Sequence, residues 1–215
     1  FNIAWGNRAL TAHWRHLFTD RLFSSFFLGT SYFSQSFKMS GLAEIRNGVR
    51  DYSVGGDLSY FQSEQHLFKT GYFYKYMEAR FKQKFQETTF VDYTPSAHYA
   101  AAYVQDKWKP SIRWIIQPGI RLNYFNAEDA DAHINVNPRL GFRYLLDDKT
   151  TAKGSWGIYS QYLNTVNDED SQSPNDIWFP VLGHLDPGRA FHYIGGIERK
   201  LPWRTTLEAE GYYKT

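Results

Sequence analysis

Hydrophobic and polar positions alternate through two consecutive segments of the chain. Over 113–124 the even positions are apolar or proline: Trp114, Ile116, Pro118, Ile120, Leu122 and Tyr124. The odd positions, Ile115 excepted, are polar or glycine: Arg113, Gln117, Gly119, Arg121 and Asn123. Past a short acidic loop the pattern resumes. Ile134, Val136, Pro138, Leu140, Phe142 and Tyr144 hold one phase; Asn135, Asn137, Arg139, Gly141 and Arg143 hold the other. Successive side chains of a β-strand point to opposite faces, so each segment predicts a strand with one apolar and one polar face. Strands of soluble sheets usually run about 5–6 residues. These are nearer the ~9–11 that a tilted strand needs to cross a bilayer. The pair reads as membrane β-barrel wall.

The same reading places about ten strands, over 3–16, 22–33, 51–62, 67–80, 98–109, 113–124, 134–146, 151–163, 191–201 and 204–214. The connections alternate in length. Tight links fall at 19–20, 63–65, 110–111, 147–148 and 202–203, and longer loops at 34–50, 82–97, 125–133 and 164–190. Short turns at one rim and long loops at the other are the habit of outer-membrane barrels, the short ones being periplasmic. The fold class is therefore all-β, an antiparallel up-and-down barrel wall. Segment 51–60 sends Tyr52, Val54, Leu58 and Tyr60 outward and Asp51, Ser53 and Asp57 inward. In 22–33 the faces stay unassigned, because Phe23 and Phe27 oppose Phe26 and Leu28.

Composition adjusts this picture in two ways. No segment approaches the ~18 consecutive apolar residues of a membrane helix, and the mean hydropathy of -0.54 is compatible with strands that each face a polar lumen on one side. The 16 Tyr, 17 Phe and 7 Trp suit interfacial girdles, and would equally suit a soluble carbohydrate-binding β-module. The absence of Cys removes disulfide scaffolds and thiol chemistry. A formal net charge of +2 gives no nucleic-acid signal.

Candidate chemistry is sparse. His13 and His16 are an odd number apart on a strand and face opposite sides, which argues against a shared metal. Glu128, Asp129 and Asp131 offer hard oxygen ligands for calcium but lack the EF-hand pattern, so a solvated acidic loop is the simpler reading. Glu208 and Glu210 project from one face as a glycosidase pair would, with no further acid–base machinery in view. No nucleophile-elbow, P-loop or zincin signature occurs, and neither a metal nor a cofactor is expected. Arg113, Arg121, Arg139, Arg143 and Lys153 share the polar phase of three strands. They read either as partners of luminal carboxylates or as guides for an anionic ligand. Trp178, Phe179 and His184 in the longest loop combine stacking surface with hydrogen bonding and are candidate ligand contacts, as are Asp129 and Asp131.

The stretch AAYVQDKWKPSIRWIIQPGIRLNYF and its continuation INVNPRLGFRYLLDDKTTAKGSWGIYSQYL resemble the barrel wall of TonB-dependent outer-membrane receptors. The carrying residues are Tyr103, Gln105, Asp106 and Trp108; Pro118, Gly119 and Arg121; Asn137, Pro138, Arg139 and Gly141; and Lys149-Thr150-Thr151 before Gly154 and Gly157. The resemblance is specific over about 98–163 and looser on either side. It implies a 22-stranded barrel occluded by a plug, outer-membrane lipid around it, and active uptake of a scarce chelate, oligosaccharide or peptide. The plug and the segment that contacts TonB are not represented. The chain starts and stops within strands, which predicts that the barrel domain is partial. A soluble binding module is the alternative, and a barrel enzyme a more remote one.

Overall fold

The computed structural model describes residues 2–40, 42–128, 130–166, 177–181, 183 and 185–215. Among these residues thirteen strands run in order: β1 (Asn2–Thr19), β2 (Leu22–Met39), β3 (Ala43–Phe61), β4 (His66–Phe85), β5 (Thr88–Tyr93), β6 (Ser96–Ser111), β7 (Trp114–Ala127), β8 (His133–Leu145), β9 (Thr150–Gln161), β10 (Leu163–Val166), β11 (Ile177–Pro180), β12 (Gly188–Lys200) and β13 (Thr206–Lys214). One antiparallel sheet has the order β1-β2-β3-β4-β6-β7-β8-β9-β12-β13, with β5 beside the upper end of β4; β10 and β11 form a separate hairpin. The ten strands on this path are the ten expected from the alternation, each paired with its neighbours.

Register fixes the faces. Residues directly opposite in an antiparallel pair share a face. Asp51 pairs with Met77, Met77 with Ala97, and Ala97 with Ala127. Arg121 pairs with Asn137 and Arg139 with Gly157. The odd positions of β1–β9 therefore form one face, which continues as the even positions of β12 and β13. This is the inner face of a curved wall. Tyr99 of β6 and Tyr162, beyond the end of β9, bring their rings to 5.3 Å although three inter-strand steps of ~4.8 Å separate the strands. The hairpin β10–β11 lies across this same face, with β11 reaching β3 and β4.

The outer face is apolar where a bilayer would touch it. Trp114, Ile120, Leu122, Val136, Leu140 and Phe142 are all exposed there. Tyr60, Phe68, Trp108 and Tyr144 surround the lower margin, where Trp114 and Tyr144 stand 4.4 Å apart. Tyr52 pairs with Tyr76 at the upper margin. From Tyr52 to Tyr60 is about 26 Å of strand at ~3.3 Å per residue, which suits an apolar band about 25 Å tall between aromatic girdles.

β2 resolves the segment whose faces the sequence left open. Phe26 points outward and Phe27 inward, and each ring lies on a glycine of β3: a Cβ on Gly56 would fall 2.2 Å from the Phe26 ring, one on Gly55 2.6 Å from Phe27. Aromatic residues sit on both faces because the neighbouring Gly55-Gly56 pair offers bare backbone on both. That is why simple alternation failed at this point.

Three sequence expectations need correction. Segments 34–50 and 82–97 are strand, not loop: β2 and β3 stay in register to Met39 and Ala43, and β4 turns into β5 at Gln86, whose φ is 52°. Above the bilayer the outer phase need not be apolar, so the strand continues without its hydrophobic signature. Segment 164–190 contains β10 and β11. Arg113 and Arg204 sit in turns just before β7 and β13. The opposite rim holds tight turns, as expected. In the β8–β9 turn the Asp147 carboxylate accepts from the backbone N–H groups of Lys149 and Thr150 at 2.8 and 2.9 Å. These bonds, the one from Lys149 first, hold its pKa below the ordinary carboxylate range.

The two faces predict unequal tolerance of charge. Leu140→Arg places a cation near the middle of the lipid face, which costs about 2–4 kcal/mol, whereas Arg139→Leu changes only the inner face. Folding yield into lipid vesicles should fall sharply for the first variant and little for the second. Equal losses would contradict the face assignment.

Candidate functional site

The inner face is layered from the short-turn rim upward. At the base an ionic layer crosses β8, β9, β12 and β13. Lys153 bridges Glu208 and Glu210, the latter at 3.0 Å, and Arg143 contacts Glu198 at 3.4 Å. Register puts these groups together: Arg143 faces Lys153, which faces Gly196, which faces Glu210. Glu208 and Glu210 thus share one lysine, an arrangement that favours the ionised form of both instead of poising one as an acid and the other as a base. On β3 and β4, Lys69 pairs with Asp57 at 3.2 Å, and higher up, beside the row of Met77, Lys75 pairs with Asp51 at 3.5 Å.

Above the base stand two cations of another kind. Arg139 lies over the Tyr159 ring at 4.5 Å, and Arg121 flanks Tyr103 at 5.9 Å. Arg121 donates from Nε to Asn123 Oδ1 at 3.0 Å and from Nη2 to the Tyr99 hydroxyl at 3.2 Å. Among the described residues neither guanidinium has a carboxylate partner. Both border a cleft of about 290 Å³ lined also by Lys69, Tyr103, Gln105 and Gln117. A guanidinium held by stacking or by neutral acceptors keeps N–H groups directed for a carboxylate, phosphate or other oxyanion.

An asparagine layer comes next. The Tyr99 hydroxyl donates to Asn123 Oδ1 at 2.8 Å, and the Tyr162 hydroxyl donates to Asn135 Oδ1 at 2.7 Å. Asn137, with its amide turned so that the oxygen accepts from Asn123 Nδ2 at 3.0 Å, links β7 to β8. Asn123 and Asn137 are almost fully buried, so these bonds replace lost water contacts. Sequence reasoning placed all three asparagines on the polar phase without treating them as a site. Their alternation on adjacent strands was the available signal.

At the top is an apolar cluster of Met77, Ala97, Phe125, Ala127, Tyr162 and Val181. Phe125 is 0 % exposed and stacks on Tyr162 at 4.8 Å. Val181 enters with the hairpin, its N–H donating to the Tyr162 carbonyl at 2.9 Å. The polar face of the wall therefore gains a packed lid over β3, β4, β6 and β7.

The expected loop contacts divide. Trp178 and Phe179 lie in β11, where their backbones pair with Thr165 and Asn164; their side chains lie outside the described residues, as do Asp129 and His184. Asp131 is exposed in the β7–β8 loop. Glu128 is held by the Ser96 backbone N–H and hydroxyl, each at 3.2 Å. Among the described residues no three His, Asp or Glu side chains converge as metal ligands. His13 and His16 face opposite sides, each beside an aromatic ring.

A family model described as TonB dependent receptor-like, beta-barrel, matches residues 1–215. No curated protein matches the sequence significantly. Among solved structures, the outer-membrane ferripyoverdine receptor of Pseudomonas aeruginosa aligns with a TM-score of 0.75 at 12% identity, over 97% of this chain and 32% of that one. The ferric yersiniabactin uptake receptor of Yersinia pestis aligns with a TM-score of 0.69 at 13% identity, over 99% and 36%. The ferric citrate transporter FecA gives 0.74 at 12%, over 99% and 34%. At such identities the likeness is one of fold. The chain spans about a third of the length of each.

The lid is expected to stabilise the wall. Phe125→Ala would empty a fully buried site and should cost about 3–5 kcal/mol. Denaturant unfolding of the full-length protein refolded into vesicles would measure it, and a loss indistinguishable from zero would mean that the hairpin does not pack as described.

Proposed function

We propose, from the premise that this chain belongs to the TonB-dependent receptor β-barrel family, that it is a wall sector of an outer-membrane receptor for active uptake of an anionic ferric chelate. Membership places the chain in the outer membrane. The ligand class is our inference, and it is carried by one observation: Arg121 and Arg139 are held by tyrosines and an asparagine on the inner face, without a carboxylate partner among the described residues. The paired cations around them, Lys69, Lys75, Arg143 and Lys153, are already neutralised. A positive patch in a low-dielectric channel concentrates anions by focusing the field. Three of the similar structures are named for ferric chelates, ferripyoverdine, ferric yersiniabactin and ferric citrate, and iron held by oxygen donors is commonly carried as an anionic complex.

Further strands are needed to complete the wall. Among the described residues β1 pairs only with β2 and β13 only with β12. An unpaired strand edge in lipid costs several kcal/mol per polar group. In this proposal the remaining strands close the barrel, a plug fills it, and the TonB system supplies energy through the plug. The hairpin β10–β11, folded over the inner face, narrows the entrance. A soluble carbohydrate module is disfavoured by the wide, exposed apolar outer face, and the ionic base layer gives no support to a barrel enzyme.

The test uses the full-length receptor carrying Arg121→Gln and Arg139→Gln together. Initial uptake of radiolabelled ferric citrate and ferric hydroxamate chelates would be compared at equal barrel abundance. We expect the uptake of the anionic chelate to fall about tenfold, the scale of ~1.4 kcal/mol, with the neutral chelate spared. Unchanged uptake would remove the arginines from the ligand path. If passive leak of a small dye rises instead, the arginines hold carboxylates of the plug.

A further inference from the structure

The hairpin that joins β12 to β13 ends in a turn that its own residues do not favour. The Thr205 N–H donates to the Pro202 carbonyl at 3.3 Å, and the two residues between, Trp203 and Arg204, have φ of 57° and 59°. Positive φ at both central positions belongs to the type I′ turn, where Asn-Gly is preferred because bulkier residues are strained there. Among the described residues Gln86 is the only other non-glycine with positive φ. Such strain persists where packing over-determines it or where function uses it. Packing does not hold Trp203, which is 94 % exposed. Pro202, whose ring fixes its own φ, helps to keep the indole raised at the tip.

The surroundings are cationic. The Lys200 N–H donates to the Lys149 carbonyl at 2.8 Å, which sets the β8–β9 turn beside this one. The two turns and their strand ends carry Lys149, Arg199, Lys200 and Arg204 against Asp147 and Asp148. The Asp147 carboxylate is already taken up by backbone N–H groups. Arg199 donates from Nη1 to the Thr150 hydroxyl at 3.1 Å, while among the described residues Lys149, Lys200 and Arg204 form no ion pair. The β1–β2 and β3–β4 turns hold only Asp20, Arg21 and Glu64 as charges, so the positive rim is local.

The tip also stands clear of lipid. On β12 the outward phase reads Tyr193, Gly195, Ile197 and then Arg199, where the apolar band ends. At ~3.3 Å per residue along a strand tilted ~45°, Trp203 lies roughly 10 Å farther on, past a headgroup layer of about 5–7 Å. We infer that this tip docks on the carboxylated glycan of the periplasmic cell wall, an inference that rests on the receptor reading for the side of the membrane that the short turns face. A flat indole open to solvent fits the C–H face of a pyranose ring, and the ammonium and guanidinium groups beside it fit carboxylates. The cell wall offers both, as amino-sugar chains bearing short peptides with free carboxylates. A phospholipid headgroup is met by outward rings of the girdle, such as Trp114 and Tyr144, and not by a ring raised past the headgroups. The contact would restrict lateral movement of the receptor.

The experiment incubates the full-length receptor in detergent with purified, protein-free sacculi and reads the fraction that co-sediments. Trp203→Asn with Arg204→Gly installs the favoured turn pair while removing the indole and one cation. This double variant should bind sacculi about tenfold more weakly and yet unfold at a higher denaturant concentration. A purely structural role for the two residues would not move binding and stability in opposite directions. Trp203→Phe, which keeps a ring, should bind nearly as the wild type does. Lys149→Gln with Lys200→Gln should weaken binding and lessen its salt dependence. A soluble disaccharide-tetrapeptide cut from the same wall should compete. Undiminished binding by the double variant would overturn the inference. So would displacement by polyglutamate and not by the disaccharide-tetrapeptide, which would mark an acidic protein as the partner, or by phosphatidylglycerol micelles alone, which would mark a lipid. Chelate uptake by wild-type cells tests the receptor reading separately: uptake without sacculus binding sinks only this inference.

Discussion

Backbone hydrogen bonding in a medium without water is the constraint on which the rest depends. Within a bilayer an N–H or C=O left unpaired costs several kcal/mol, so each strand of the wall must be bonded along both edges throughout the hydrocarbon. Long antiparallel ladders meet this condition, and β2, β3 and β4 extend them to 18, 19 and 20 residues. Once the ladders are in register, facing follows automatically. A slip of one residue would carry Arg121, Arg139 and Arg143 into lipid and Leu122, Leu140 and Phe142 into the lumen. Register and solvent therefore reinforce each other.

The inner face shows what the wall does with its freedom from lipid. Most ion pairs lie toward the base, amides and tyrosine hydroxyls satisfy one another in the middle, and apolar packing seals the top. The sequence of layers has a physical logic. Buried amides are tolerated because each finds a partner. The apolar cluster forms where the β10–β11 hairpin excludes water. Arg121 and Arg139 lie at the junction between the first two layers, directional and, among the described residues, without a carboxylate partner.

The wall is also taller on one side than on the other. Strands β2–β4 rise past the girdle, while β8 and β9 stop at 13 and 12 residues. The hairpin leaves the low side and leans on the tall one. A low wall beside a tall one gives the folded hairpin somewhere to rest. It also exposes a strip of outward surface, rich in arginine, above the hydrocarbon.

The sequence by itself determined the all-β class, the ten strands of the wall and, β2 apart, the two faces at bilayer height. It could do so because lipid on one side and water on the other impose a period of two on every strand between them. The polar phase of Arg121, Arg139, Arg143 and Lys153, and its continuity with Glu208 and Glu210, was legible for the same reason. Only the tertiary structure decided where strands end beyond the bilayer, since water on both faces erases the alternation in 34–50 and 82–97. It alone assigned Phe26 and Phe27, whose placement depends on the glycines of a neighbouring strand. It alone separated the paired cations from the two that meet no carboxylate among the described residues, because partners such as Lys153 and Glu210 are remote in sequence and meet only through register. The folding of β10–β11 onto Phe125 was likewise invisible: from the sequence alone the 125–133 loop begins with this residue, and only the structure places it at the inner face of β7, under the segment that covers it.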